Sequence, residues 1–247
     1  QDVDQVTLIP VIKNISFDNS KGSIIKSKYV SYQVEIQDIT AKNSVVNIGT
    51  ITEPVISNIT LNNIHLEDFI DTQENLGLFQ DTTATLNSMY MRNVSANLQF
   101  NGSEATLKNF SCVNNSIPDY FGGCLQLSNT VITMENSTFI NNTAKVGGAI
   151  YTEKMKPITL NGSFSGNSAI MYGKDIGSDA VNYKIVVTQS LSNESNPIYY
   201  DYKMNYTVFE NGTKLWRFLD ASPAMLNVSS IYIVLSDEYS QDVVYDL

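Results

Sequence analysis

Residues 134–151, MENSTFINNTAKVGGAIY, begin with an eight-residue pattern that recurs along the chain and decides the fold. The pattern is apolar, any, Asn or Asp, apolar or small, any, apolar or small, any, polar. Full copies begin at Ile12, Ile36, Leu61, Met91, Leu107 and Met134, and a copy that is one residue shorter begins at Leu160. The starts are 24, 25, 30, 16, 27 and 26 residues apart. The unequal fourth and fifth copies predict a long excursion followed by a short coil.

A period near 24 residues indicates a solenoid of strands. Apolar positions alternate, glycine is frequent, and no stripe with helical spacing is present. Leucine-rich repeats have a similar period, but their fixed leucine frame is absent. We therefore predict an all-β protein in which residues 1–180 form a right-handed parallel β-helix of about seven coils. Each strand would pair with the coils above and below it.

The same frame predicts which asparagines point inward. Asn142 follows Phe139 by three residues, and Asn167 follows Phe164 by the same interval. Cys112 and Asn115 repeat this spacing. We expect Asn115, Asn142 and Asn167 to form an internal ladder in which side-chain amides bond one coil to the next.

Acceptor sites for N-linked glycans are more frequent than chance. The chain has 27 Asn and 45 Ser plus Thr, so about five N-x-Ser/Thr sequons would arise at random. Thirteen occur, at Asn14, Asn58, Asn93, Asn101, Asn109, Asn114, Asn136, Asn141, Asn161, Asn193, Asn205, Asn211 and Asn227. Asparagine and threonine are also good turn and ladder residues, which accounts for the composition but not for the spacing. None of the three ladder asparagines is a sequon. The third pattern position supplies four of the sequons, Asn14, Asn93, Asn109 and Asn136, so outward glycans would stand in columns.

Charge excludes several classes of partner. Only 16% of residues are charged and the net charge is −10, so the chain lacks the basic face that nucleic acids and anionic lipids require. No apolar run approaches the roughly 20 residues that span a bilayer. The chain starts at Gln1 without a basic and apolar leader, which predicts a secreted protein whose signal peptide has been removed. We expect an extracellular or cell-surface location and no membrane insertion.

The two cysteines fit an oxidising compartment. In the repeat frame, Cys112 matches Phe139 and Cys124 matches Ala149, so both should point into the core. A disulfide within one coil and two buried thiols both agree with this placement. A zinc site does not, because it needs further ligands and His65 is the sole histidine. We predict no metal and no cofactor.

These motifs resemble a known repeat. The segments Phe139-x-x-Asn142 and Gly147-Gly148-Ala149-Ile150-Tyr151 resemble the FxxN and GGAI repeats of chlamydial polymorphic outer-membrane proteins. Cys112-x-x-Asn115 with Gly122-Gly123-Cys124 is a variant copy. Residues 167–176 are similar to repeats of very large ciliate surface proteins, and residues 231–245 resemble a β module that follows such repeats there. The resemblance implies a parallel β-helix outside the cell, with roles in adhesion or surface coats.

Residues 181–247 differ in character from the repeats. Eight of the 14 tyrosines lie beyond Gly177, where the pattern stops. Apolar and polar residues alternate from Tyr200 to Val208, and Asn211-Gly212 is typical of a hairpin turn. Together with a further strand over residues 231–235, these features predict a small antiparallel β-sandwich-like module. It would cap the last coil.

Candidate catalytic and binding residues are few, and we predict no enzymatic activity. A lyase would need a base and arginines, but Arg92 and Arg217 are far apart in sequence. A hydrolase would need paired carboxylates, and the densest acidic cluster is expected in a solvated loop. That cluster comprises Glu67, Asp68 and Asp71. His65 falls at an outward position of the pattern, so we expect a surface residue there.

Two segments of the sequence each agree with two interpretations, one of which is a binding site. Asp175-x-Gly177-x-Asp179 could contribute to a calcium site or could form the turn that leaves the last coil. The C-terminal aromatic residues, Trp216 first, could stack on sugars or could pack in a core.

The sequence favours a structural surface glycoprotein that self-associates into a coat or filament. Its apolar residues 6–12 would either cap the protein's own solenoid or add as a strand to a neighbouring copy. The alternatives are a β-helix adhesin that binds cell-surface glycans or another carbohydrate, and a polysaccharide lyase or hydrolase. An adhesin would need a face free of sequons, and an enzyme would need a cleft lined with paired carboxylates or arginine.

Overall fold

The structure is a computed structural model that describes residues 11–24, 26–27, 33–52, 58–69, 76–154, 161–189, 197–203 and 228–243. The chain divides into two compact units, residues 1–178 and 179–247. The described residues form strands and turns with no helix, so they include none that could cross a membrane.

The first unit is a stack of parallel strands. Its 21 strands in the described residues are β1 Val11–Asp18, β2 Lys21–Ser23, β3 Lys26–Ser27, β4 Gln33–Lys42, β5 Val45–Asn47, β6 Gly49–Ile51, β7 Asn58–Phe69, β8 Gly77–Gln80, β9 Thr83–Val94, β10 Leu98–Asn101, β11 Glu104–Lys108, β12 Ser111–Val113, β13 Ser116–Phe121, β14 Leu125–Ser128, β15 Val131–Glu135, β16 Ser137–Ile140, β17 Thr143–Val146, β18 Ile150–Glu153, β19 Gly162–Ser165, β20 Ser168–Tyr172 and β21 Ile176–Ser178.

These strands wind into a β-solenoid of about six turns, which confirms the predicted parallel β-helix with fewer coils than expected. One long sheet has the order β1-β4-β7-β9-β12-β16-β19, and β11 and β15 extend it beside β9. A second sheet has the order β21-β18-β14-β10-β8-β6-β3. Two smaller parallel sheets, β13-β17-β20 and β2-β5, lie between them in the chain. Each coil therefore contributes to two or three faces.

The strand register corrects the predicted frame at one coil. Leu61 pairs with Leu86, and Leu86 pairs with Leu107. Met91 instead pairs with Leu66, so the copy assigned to Met91 starts five residues too late. β7 and β9 pair along nearly their whole lengths, and the short coil lies between β9 and β11 rather than after a long excursion.

The core consists of apolar columns that run from coil to coil. Inward side chains such as Ile36, Leu61 and Leu86 are fully buried above one another. Aromatic residues continue the same stacking, with the rings of Phe139 and Phe164 parallel within 8° and their centroids 5.0 Å apart. Each fully buried apolar side chain stabilises the fold by about 1.5–3 kcal/mol relative to an exposed one. The apolar columns therefore stabilise the stacking of each coil on the next.

The second unit contains one antiparallel sheet in its described part. Its strands are β22 Ala180–Gln189, β23 Pro197–Lys203, β24 Val228–Asp237 and β25 Asp242–Val243, and their order is β23-β22-β24-β25. The predicted antiparallel module is confirmed to this extent, including the strand over residues 231–235. The predicted hairpin tip at Asn211 and Gly212 lies outside the described residues.

Candidate functional site

The corners of the solenoid are made by residues with left-handed backbone. Sixteen non-glycine residues in the described part have positive φ, and ten of them are Asn. Asparagine tolerates this conformation better than other side chains because its short amide bonds locally. Two corner columns belong to the long sheet. One runs through the middle of β1, β4, β7 and β9, and the other lies at the C-terminal ends of the strands. The first contains Asn14, Asp38, Asn63, Ser88, Asn109 and Asn136; the second contains Asn19, Asn43, Asp68, Asn93, Asn114, Asn141 and Gly166.

The structure separates sequon asparagines from buried asparagines. All nine sequon asparagines in the described residues are exposed: Asn14, Asn58, Asn93, Asn101, Asn109, Asn114, Asn136, Asn141 and Asn161. The four buried asparagines in those residues are Asn97, Asn115, Asn142 and Asn167, and none begins a sequon. The sequons at Asn193, Asn205, Asn211 and Asn227 lie outside the described residues.

Corner geometry explains part of the sequon spacing. Asn109 turns the chain, Phe110 then points inward, and Ser111 faces outward on β12. The same order of corner, inward and outward residue holds at Asn136 and Asn141. An outward strand position favours Thr and accommodates the small polar Ser, so an Asn corner can create a sequon. Six of the ten asparagines with positive φ are sequons in this way.

The three inward asparagines form a hydrogen-bonded column. The backbone N–H of Asn115 donates to Asn142 Oδ1 at 3.0 Å, and the backbone N–H of Asn142 donates to Asn167 Oδ1 at 2.9 Å. The Nδ2 of Asn142 donates to the Cys112 carbonyl at 3.1 Å. All three side chains are fully buried, so these bonds are made without competition from water.

The column ends differently on its two sides. Asn115 Oδ1 accepts from the backbone N–H of Val94 at 3.0 Å, but its Nδ2 is buried without a partner. At the other end, Asn167 Nδ2 donates to Asp175 Oδ1 at 2.9 Å. Val94 occupies the ladder position in the preceding coil, so the amide series starts at Asn115 with one unmatched donor.

The structure contains a second internal ladder, which the sequence pattern did not predict. The backbone N–H of Thr82 donates to Ser103 Oγ at 3.1 Å, and the backbone N–H of Ser103 donates to Thr130 Oγ1 at 3.4 Å. These three residues are buried. Each directly follows a corner residue with positive φ, namely Asp81, Gly102 or Asn129. The available signal was the recurrence of Asp, Gly or Asn followed by Ser or Thr at the coil period.

The two cysteines form a disulfide, which decides between the two predicted states. Cys112 and Cys124 are both fully buried, and their Cα atoms are 6.3 Å apart. Cys112 pairs with Phe139 of the next coil, as the repeat frame predicts. The bond joins two sides of one coil and closes a loop with a sequence separation of 12.

The predicted acidic loop is instead part of a strand. Glu67 and Asp68 lie in β7, while Asp71 lies outside the described residues. Glu67 is held by Arg92, whose Nη2 is 2.6 Å from Oε1. Lys42 Nζ and His65 Nε2 lie 3.7 and 3.9 Å from Oε2. The expectation of a solvated loop was wrong because strand pairing continues through these residues.

His65 is a surface residue, as its pattern position predicts. Its side chain is 48% exposed, and its ring stacks on Tyr90 of the next coil at 4.8 Å between centroids. Arg92 contacts Glu67 across neighbouring coils, whereas Arg217 and Trp216 lie outside the described residues.

The candidate calcium segment supports the internal ladder. Asp175 accepts the hydrogen bond from Asn167 described above, and Gly177 and Ser178 belong to β21. In the described part of the chain, no group of three or more His, Cys, Asp or Glu residues is arranged to hold a metal ion.

Comparison with known proteins adds one partial relationship. The chain is 34% identical over 88 residues to a protein of Dictyostelium discoideum described as a transmembrane domain-containing protein. The match covers 30% of this chain and only 5% of that relative, which is therefore far longer than the matched segment. No protein-family model matches the chain, and no solved structure matches it.

Proposed function

We propose that this chain is an extracellular structural glycoprotein, a β-solenoid whose N-linked glycans form its outer coat and which self-associates into a surface coat or filament. The observation that carries the proposal is the complete separation of exposed sequon asparagines from buried asparagines in the described residues. Glycans at these positions would supply the solvation that a chain with 16% charged residues otherwise lacks.

The disulfide supports a location outside the reducing cytosol, because such bonds persist in oxidising compartments. The FxxN and GGAI segments support a repeat of the polymorphic outer-membrane-protein type, as in the ciliate surface proteins. The Dictyostelium relative is described as a transmembrane domain-containing protein, which is compatible with a location at a membrane.

The contacts of the candidate chemical groups favour a scaffold over an enzyme. Glu67 is engaged by Arg92, and Asp175 is engaged by Asn167. Both carboxylates therefore have structural partners: Arg92 lies in the coil next to Glu67, and Asn167 lies in the same coil as Asp175. A hydrolase would instead present two carboxylates to a bound sugar at a set separation.

Electron microscopy of the protein secreted from eukaryotic cells tests this function. We expect glycosylated protein that forms filaments or layers. Secretion as unglycosylated protein would contradict the glycoprotein assignment. Glycosylated but strictly monomeric protein at high concentration would contradict the self-association.

A further inference from the structure

The exposed sequons of the described residues fall into two groups by their spacing in the fold. Six lie on consecutive coils around β12, β16 and β19, and we call them the crowded patch: Asn93, Asn109, Asn114, Asn136, Asn141 and Asn161. The other three have no sequon at the paired position of a neighbouring described coil, and we call them the isolated sequons: Asn14, Asn58 and Asn101.

The crowded patch is formed by the two corner columns of the long sheet. In the first column, Asn136 Nδ2 donates to Asn109 Oδ1 at 3.4 Å, so two attachment points for glycans are direct neighbours. Asn161 occupies the next position of that column. The sequons of the second column, on three consecutive coils, are Asn93, Asn114 and Asn141.

Sheet geometry sets the distances between these attachment points. Adjacent coils are about 4.8 Å apart, and five residues of extended chain, or about 17 Å, separate the two columns. Six glycans would therefore start from a surface of about 17 Å by 14 Å. A branched N-glycan is bulky, and it is much wider than the spacing between coils.

The protein surface between the two columns does not hold the glycans apart. Its outward residues are all short: Ser111, Val113, Thr138, Ile140, Ser163 and Ser165. The longer side chains of Lys108 and Glu135 lie on the other side of the first column, with Nζ and Oε2 3.8 Å apart. Glycans of both columns can therefore lean over the same low surface and crowd one another.

This crowding arises only when the chain folds. Asn109 and Asn136 are 27 residues apart in sequence, so their sequons are well separated in the unfolded chain. N-glycans are transferred to unfolded chains as mannose-rich precursors, and mannosidases trim them later on the folded protein. Transfer therefore meets separated sites, whereas trimming meets six glycans packed at the spacing of the coils.

We propose that the crowded patch retains mannose-rich glycans that trimming enzymes cannot reach, while the isolated sequons carry trimmed glycans. The inference rests on the glycosylation proposed above and does not require self-association. Several terminal mannoses held side by side are a multivalent ligand, so the patch is the face that a mannose-binding lectin recognises.

Site-specific glycopeptide mass spectrometry of the full chain secreted from mammalian cells tests the proposal. We expect most glycans at the six patch sites to be mannose-rich, and a mannose-rich fraction at least threefold smaller at the isolated sites. Equal fractions in the two groups, or empty patch sites beside occupied isolated sites, would overturn this inference alone. Absence of glycans from every site would contradict both this inference and the glycoprotein assignment.

Removal of neighbouring sequons tests whether crowding is the cause. Asn136 lies between Asn109 and Asn161 in its column, and Ser111→Ala with Ser163→Ala removes both neighbouring sequons without changing a corner residue. The trimmed fraction at Asn136 should then rise at least twofold. The affinity of the protein for an immobilised plant lectin specific for oligomannose should fall at least threefold. An unchanged glycan at Asn136 would show that crowding does not protect it.

A matched double variant removes two isolated sequons instead. Ser16→Ala with Thr60→Ala eliminates the sequons at Asn14 and Asn58. It should leave both the glycans at Asn136 and the lectin affinity unchanged, and circular dichroism should show intact folding of both double variants. An equal loss of lectin affinity in the two double variants would contradict recognition through the crowded patch.

Discussion

At the scale of single residues, several corners of the solenoid consist of two residues with distinct roles. The first residue takes positive φ, as Asn141 does, and the second turns inward with a small polar side chain, as Asn142 does. Asn43 and Ser44 follow the same order, with Ser44 Oγ accepting from the Ser20 backbone N–H at 3.1 Å. The inward side chain satisfies a backbone group that the corner would otherwise leave unpaired in the core.

The internal amide ladder predicts a ranking of stability effects. Asn142→Leu should lower the free energy of unfolding by about 1–3 kcal/mol, because its neighbours on both sides lose hydrogen bonds in a buried site. Asn115→Leu should cost less, since Asn115 Nδ2 already has no partner. Urea denaturation followed by circular dichroism measures both. An Asn142→Leu protein as stable as the unaltered chain would contradict the role of the ladder.

Glycan occupancy provides a second prediction at the residue scale. Intact-glycopeptide mass spectrometry should find glycans on most of the 13 sequons and none on Asn115, Asn142 or Asn167. Since these three side chains are fully buried, a sugar on any of them would prevent the coil from closing. A glycan detected on Asn142 would show that the inward assignment is wrong.

At the scale of elements, strand spacing explains what the sequence could and could not predict. The pattern located β1, β4, β7 and the coils that begin at Leu107 and Met134, because each has an Asn or Asp corner at the third pattern position. It failed at β9, where the first corner is Ser88 and the second is Asn93. The stronger asparagine signal shifted the assigned frame by five residues. Only pairing with neighbouring coils resolves this ambiguity.

Among the residues of the candidate site, those with a fixed spacing along the chain were predictable from the sequence. The inward asparagines followed from their spacing after Phe139 and Phe164. The stacking of His65 on Tyr90 did not, because these side chains are 25 residues apart and meet only across strands.

The disulfide predicts a measurable contribution from one coil. A closed loop of this length should stabilise the fold by roughly 3 kcal/mol. Cys112→Ala combined with Cys124→Ala should lower the free energy of unfolding by about that amount while the other coils still form. Thiol labelling of the unfolded, unreduced protein should modify neither cysteine. Modification of both would rule out the bridge.

The paired glycines between β17 and β18 give a prediction about close packing. A Cβ at Gly148 would fall on the carbonyl oxygens of Lys174 and Ser168 in the next coil. Gly148→Ala should therefore lower the free energy of unfolding by about 1–3 kcal/mol, the typical cost of overpacking, because the surrounding backbone must move. Gly162→Ala is the matched control, since its nearest contacts are at 3.4 Å. Equal melting temperatures for the two variants would contradict this packing.

At the scale of the whole molecule, the sides and the ends of the solenoid have different chemistry. Its sides carry the exposed sequons, which would keep bare protein surfaces apart. In the first described strand, β1, the inward residues Ile12, Ile15 and Phe17 are only partly buried, whereas their partners Ile36, Ile39 and Ala41 on β4 are fully buried. If copies associate, we expect strand addition beside β1 rather than contact along the glycan-bearing sides.

The apolar N-terminal segment is the candidate for strand addition between copies. Residues 6–12, VTLIPVI, are apolar and strand-prone, although residues 1–10 lie outside the described part. If they add as a strand to a neighbouring copy, deletion of residues 1–11 should abolish filaments seen by electron microscopy while circular dichroism retains the strand signal. Ile9→Lys should weaken assembly, and Gln5→Lys is its charge-matched control. Enzymatic deglycosylation should thicken or bundle filaments rather than dissolve them, because it exposes the sides. Normal assembly of the truncated protein would show that copies join in another way.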